Sequence, residues 1–279
     1  MALVMSFEDY VSQYGTITLL HDTGGGGSST AVAGYTVAAL KTRPLGEVFR
    51  FDRTGVGYTI IRIDLSTSYS NIPLAVGVCG IRNVGTPSYT NPVSFRLYNT
   101  GTALNNSGTF VGQTSPSVQT VIGYLHDGAI NVNRIEIWVF GTTDTIEIGR
   151  IWCGPAFQSL HSSGLMDTGP EDSGGTELTR GGQAIGRIGV VSRSVILPIP
   201  YLEPAEIFGT TYAGSIGAKS TVPLEYGTSA IGKTGPFLAF QEDPTNTMRP
   251  IYGHFIELPR FKPLAPCVYE TSLGMREER

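Results

Sequence analysis

The chain has 279 residues, long enough to bury most of the surface its unfolded form exposes and to make about two domains. Only 15% of the residues are charged, while 36 are glycine and 17 are proline, a turn-rich composition that points to a mostly β fold. The formal charge of -4 gives no general attraction to a phosphate backbone, which disfavours nucleic acid as a partner.

Residues 1–44 read as an N-terminal arm. It opens with a short strand or helical turn, followed by Thr-Ile-Thr-Leu-Leu at 16–20. Residues 24–30, Gly-Gly-Gly-Gly-Ser-Ser-Thr, offer almost no side chain to bury and have the composition of a loop tip. No Gly-Lys-Ser or Gly-Lys-Thr follows, so the run is not a phosphate loop. The first ten residues lack a basic start, and acidic residues interrupt the apolar stretch a secretion signal would need. No run approaches the roughly 20 apolar residues of a bilayer span. A soluble protein without membrane insertion is expected.

Residues 48–65 contain two strand-like runs separated by a turn at 53–57 and read as a hairpin. The run Leu-Ala-Val-Gly-Val-Cys-Gly-Ile at 74–81 has no polar face and suits a strand covered on both sides. Residues 94–98 alternate, residues 101–117 read as a long surface loop, and 118–125 resume a strand before the turn His126-Asp127-Gly128.

The strongest pattern spans 131–157. Ile135, Ile137 and Val139 fall on one face of an extended chain, with Glu136, Trp138 and Phe140 on the other. After turn residues at 141–145 the alternation resumes with Ile146, Ile148 and Ile151. This reads as a hairpin that closes the first domain. Gly149 shifts the register, which predicts a bulge or a close backbone approach, and Gly154-Pro155 predicts the end of the strand.

Residues 158–183 are poor in apolar side chains and read as an extended connection. Residues 185–199 predict two strands or one bent strand. Pro204 and Gly209 bracket one short helix, 235–240 and 251–258 are the last strands, and 273–279 read as an exposed end.

Chemistry-bearing residues are scattered. Cys79, Cys153 and Cys267 have neither zinc-ligand spacing nor an even count, and are expected to be free thiols. His21, His126, His161 and His254 form no ligand pair. His126-Asp127 has no Gly-x-Ser-x-Gly nucleophile to serve. The acidic pairs Glu8-Asp9, Glu171-Asp172 and Glu242-Asp243 lack the separation of a glycosidase dyad, and 164–175 lacks the pattern of a calcium loop, so a solvated loop is expected there. No catalytic, cofactor or metal residue is assigned, and no enzyme is expected. Trp138 and Trp152, with Tyr58, Tyr89, Tyr98 and Tyr124, either stack on sugar rings or fill the sandwich.

Two segments carry a family resemblance. Tyr-Thr-Ile-Ile-Arg-Ile-Asp-Leu at 58–65, followed by the apolar 74–81 and then 93–98, resembles the discoidin-type, galactose-binding-like jelly roll. Arg-Ile-Glu-Ile at 134–137 with 146–156 resembles the closing hairpin of that domain in structural proteins of tailed bacteriophages. More loosely, Gly181-Gly182, 193–200 and 252–258 are similar to the second half of such proteins. The resemblance implies an N-terminal jelly-roll β-sandwich at 45–160, a connection at 161–184 and a smaller β-rich domain at 185–279. It implies a structural component of a phage virion, in the tail or tail tip, made in the host cytoplasm. Other virion proteins and copies of itself would be its partners, with 24–30 and 158–183 making contacts. The alternatives are a carbohydrate-binding module for cell-surface recognition and, less well supported, a glycan-active enzyme. No cofactor is implied.

Overall fold

β-Branched and aromatic runs broken by glycine and proline fill the chain, and they form strands. A computed structural model describes residues 2–21, 27–42, 45, 47–55, 58–69, 73–83, 93–99, 102–104, 120–126, 132–139, 145–162, 167–172, 175–178, 184–187, 191–209, 222–242 and 250–278. The chain is mostly β, with an N-terminal jelly-roll sandwich followed by a smaller β-rich part.

The first half contains β1 (Ala2–Ser6), helix α1 (Tyr10–Tyr14), β2 (Gly15–His21), β3 (Ser28–Ala31), β4 (Phe49–Thr54), β5 (Thr59–Tyr69) and β6 (Leu74–Asn83). It continues with β7 (Val93–Asn99), β8 (Thr102–Leu104), β9 (Thr120–His126), β10 (Val132–Val139), β11 (Thr145–Ile148) and β12 (Arg150–Ser162). One sheet has the order β2-β5-β10-β7-β8, and the other layer contains β3-β4-β11-β6-β12 with β9 also on β6. Phe49, Phe51, Ile61, Ile63, Phe95, Ile135 and Ile137 meet between the layers in one core.

Both expected hairpins are corrected. β4 pairs with β3 and β11, whereas β5 pairs with β2 and β10. β10 pairs with β5 and β7, whereas β11 pairs with β4 and β6. In each case consecutive strands lie in opposite layers. Packed sheets stand about 10 Å apart, a distance that four or five connecting residues span. The same short turn signal therefore serves a hairpin or an arch.

β6 is covered on both faces, as its sequence predicts: Leu74, Val76 and Val78 enter the sandwich core, and Ala75 and Cys79 a second cluster behind it. Gly149 separates β11 from β12 and is the predicted close approach, since a Cβ there would stand 3.0 Å from the Leu45 carbonyl oxygen. Pro155 does not end its strand. It sits where β12 passes from β6, paired through Pro155, to β1, paired from Ala156, so its missing N–H falls at the change of partner.

The N-terminal residues are built into both layers. β2 pairs with β5, while β1 lies between β12 and β17 (Phe237–Glu242). Through β1 the larger sheet continues into the second half, which contains β13 (Asp167–Asp172), β14 (Gly175–Leu178), β15 (Ala184–Arg187), β16 (Val191–Leu202), β18 (Ile251–Glu257), β19 (Lys262–Ala265) and β20 (Val268–Glu277). The path beyond β1 is β17-β18-β20-β16-β13, making a 13-stranded sheet. Leu3, Met5, Phe157, Leu197, Phe237, Phe255 and Met275 form a second core.

Three further expectations are corrected. The extended connection contains β13, paired along its length with β16, and β14, paired with β15. Ladder bonds come from the backbone, so an edge strand tolerates the polar sequence Asp-Thr-Gly-Pro-Glu-Asp. The solvated loop expected at 164–175 falls partly on that strand. The exposed end belongs to β20, which lies between β16 and β18 with Leu273 and Met275 fully buried. The helix from Pro204 is present as α2 (Pro204–Phe208), with Gly209 beyond it at φ 95°. The short strand and the helical turn offered as alternatives before Thr16 are both present, as β1 and α1, whereas α3 (Leu224–Ile231) has no counterpart in the sequence reading; it follows Pro223 and ends at Gly232, φ 61°.

Candidate functional site

Two clusters combine arginine, carboxylate, tryptophan and tyrosine. The first is closed. Asp9, in the loop after β1, accepts a hydrogen bond from the Val11 N–H at its Oδ1 and so caps α1. Its Oδ2 accepts from Arg150 Nη2 at 2.7 Å, and Arg150 Nη1 donates to the Tyr252 hydroxyl at 2.5 Å. Trp152 Nε1 donates to Ser6 Oγ at 2.9 Å, and the Trp152 and Tyr252 rings meet at 5.9 Å. Burial pushes the Asp9 carboxyl up from its ordinary value, opposed by Arg150. Burial also holds the Cys79 and Cys153 thiols protonated, far above the usual thiol range. With side-chain exposures of 6% for Arg150 and 4% for Asp9, this cluster admits no ligand and instead ties β1, β12 and β18 together.

The second cluster lies on the outer face of the five-stranded sheet. Strand alternation points Arg134, Glu136 and Trp138 of β10 away from the core while Ile135, Ile137 and Val139 enter it. Register then fixes three rows across the sheet. Thr16, Asp64, Arg134 and Tyr98 form one, Thr18, Arg62, Glu136 and Arg96 the next, and Leu20, Ile60, Trp138 and Ser94 the third.

Glu136 is the anchor of this face. Its Oε1 lies 3.1 Å from Arg62 Nη2, and its Oε2 accepts from the Tyr98 hydroxyl at 2.8 Å and from Trp138 Nε1 at 3.1 Å. Asp64 accepts from Arg134 Nε at 2.6 Å. Arg96 stands opposite Glu136 in register but lies over the next row, its guanidinium carbon 3.5 Å from the centre of the Trp138 ring. Tyr58, just before β5, meets the same ring at 5.2 Å. The face is partly open to solvent, with Arg62 33%, Arg134 31% and Asp64 43% exposed at their side chains, while Glu136 beneath them is 5% exposed.

Desolvation, reinforced by the hydrogen bond to Glu136, raises the Tyr98 phenol above its usual value, so it stays a donor at neutral pH. The face thus offers an aromatic pair and the remaining guanidinium donors of Arg62 and Arg134 around a carboxylate held in place by three partners. That is equipment for recognising a polyhydroxylated ring by its apolar side and its hydroxyls.

The structure divides the aromatic residues named from the sequence. Trp152 is packed in the interior, and Trp138, Tyr58 and Tyr98 come together on the open face. Tyr89 lies outside the described residues, as does the side chain of Tyr124. The histidines are apart: His21 meets Ser29, His161 meets Tyr201 edge to face, and His254 lies near Glu278. His126 ends β9, and Asp127 lies outside the described residues. Among the described residues, no three His, Cys, Asp or Glu side chains converge as a metal-ligand set. All three cysteines are free, with Cys79 and Cys153 buried and Cys267 exposed. Arg62 and Arg96, not singled out from the sequence, each occupy an outward position in an alternating strand, which is the signal that could have found them.

No protein-family model matches the chain, and no curated protein matches it. Several solved structures are similar. The f-lectin (fucolectin) from Morone saxatilis (striped bass) serum is 8% identical, with a TM-score of 0.38 over 97% of this chain and 98% of that one. The lectin domain of lectinolysin, complexed with Lewis B antigen, is 10% identical, with a TM-score of 0.34 over 47% and 93%. A family 29 carbohydrate-binding module is 13% identical, with a TM-score of 0.29 over 50% and 88%.

Proposed function

We propose that the protein binds carbohydrate on the outer face of its five-stranded sheet. The observation that carries this reading is the partly exposed pair Trp138 and Tyr58 on the outer face beside Glu136, whose oxygens are held by Arg62, Tyr98 and Trp138. The test is a glycan array followed by calorimetric titration of the best ligand. Replacing Trp138 with alanine is expected to weaken binding by about tenfold or more, the usual cost of truncating an aromatic anchor. Binding that is unchanged in Trp138→Ala, or absent across the array, would overturn the reading.

A second reading, a structural component of a phage virion, is supported by the sequence resemblance and by where apolar side chains meet solvent. Among the described residues six large apolar side chains are at least 40% exposed, and five of them, Ile196, Tyr201, Tyr226, Leu258 and Leu264, lie in the second half, with Tyr14 in the first. Such a distribution suits contact with other virion proteins or copies of the chain. Mass spectrometry of purified particles tests it, and absence of the protein from them would exclude it.

A further inference from the structure

We infer that the sheet face selects an anionic sugar, a pyranose carrying a carboxylate, and that Arg96 is the residue that selects it. This rests on the carbohydrate reading above and goes beyond it in naming the ligand's charge.

The outward rows hold three guanidinium groups and two carboxylates. Arg62 is paired with Glu136 and Arg134 with Asp64. Glu136 has both oxygens occupied, by Arg62 on one side and by Tyr98 and Trp138 on the other. Among the described residues no carboxylate comes within ion-pair distance of Arg96. Its guanidinium rests on the Trp138 ring, and its Nε, shielded from solvent, has no hydrogen-bond acceptor. The remaining residues of these rows, Thr16, Thr18, Leu20, Ile60 and Ser94, are neutral. Arg96, which also hydrogen-bonds the Tyr98 hydroxyl, therefore stands over the aromatic surface the ligand would use with no carboxylate partner among the described residues.

Its position makes the choice. A neutral sugar that stacks on Trp138 must displace the guanidinium, losing a cation–π contact and putting nothing in its place. A uronate instead offers Arg96 a planar carboxylate that its forked donors match in a bidentate pair. The guanidinium that leaves the ring then becomes a contact to the ligand. Lysine preserves the charge but not the fork, so it separates attraction from geometry.

The experiment is calorimetric titration with tetragalacturonate and with a neutral hexose tetrasaccharide, at low and high salt, on the intact chain and on Arg96→Gln and Arg96→Lys. Thermal melts of each variant establish that it is folded. We expect the uronate to bind about tenfold more tightly than the neutral sugar, as one charge-assisted pair gives. That advantage should shrink with salt, disappear in Arg96→Gln and be partly kept in Arg96→Lys. Arg96→Gln should bind the neutral sugar at least as well as the parent chain. Equal affinity for the two sugars, or a uronate preference that survives Arg96→Gln, would overturn the inference while leaving carbohydrate binding in place. Failure of both sugars and of the wider array would instead remove the carbohydrate reading itself, and this inference with it.

Discussion

The protein contains nearly the same four residue types twice, Arg150, Asp9, Trp152 and Tyr252 inside and Arg96, Glu136, Trp138 and Tyr98 outside, and the two sets do different work. Inside, the cation is matched: Arg150 meets Asp9 and Tyr252, and Trp152 meets Ser6. A buried charge without partners would be too costly to keep, so the cluster must be closed. Outside, the cation is only partly matched: Arg96 lies on the Trp138 ring and, among the described residues, has no carboxylate partner. Residue type alone therefore does not separate a fastening from a binding face. The burial of the charge and the completeness of its partners do.

Substitutions can break this contrast in a definite order. The largest effect is expected for Asp9→Ala, which strands the Arg150 charge in the interior and should cost about 3–5 kcal/mol in a urea melt. A loss below 1 kcal/mol would show that Arg150 is solvated and the contrast false. Tyr252→Phe, which removes only a hydroxyl acceptor from Arg150, should cost about 1–2 kcal/mol by the same measurement.

On the open face the corresponding change is expected to be smaller in stability and larger in binding. Glu136→Gln removes a carboxylate only 5% exposed that accepts from Arg62, Tyr98 and Trp138, with Arg62 itself a third exposed, so a thermal melt should show a loss of about 1–2 kcal/mol. Sugar affinity should fall severalfold, because Arg62, Tyr98 and Trp138 lose their common anchor. A stability loss as large as that of Asp9→Ala would mean that the outer cluster is also a fastening.

The smallest effect concerns pH. The folded state raises the Tyr98 phenol above its ordinary value near 10, through desolvation and then Glu136. Its contribution is thus fully present below pH 10 and is lost as pH rises through the higher folded value. Tryptophan fluorescence should report a transition above pH 10 that is missing in Tyr98→Phe. An identical titration in both proteins would remove Tyr98 from the face.

Strands were legible in the sequence because alternation acts within a few residues: Ile135, Ile137 and Val139 declared their face, and so did Val93, Phe95 and Leu97. Their pairing was not legible. The turn signals at 53–57 and 141–145 are the same whether the chain returns beside itself or crosses to the other layer. Arg62, Glu136 and Arg96 are up to 74 residues apart in sequence and become neighbours through that crossing. The final strand was missed because Thr271, Leu273 and Met275 alternate with short or polar residues, a weak signal that only the flanking strands β16 and β18 make decisive.

Strand β1 also sets a timetable for making the protein. Ala2 to Ser6 leaves the ribosome well before both of its neighbours, β12, ending at Ser162, and β17, ending at Glu242. β1 must wait, unpaired, until both of those strands have been translated. Completion of the large sheet is therefore a late event with long loops to close, which predicts slow folding and a partly assembled chain with an open strand edge. A factor that shields such an edge during synthesis would raise the yield of this protein more than that of a sandwich whose first strand pairs with its second.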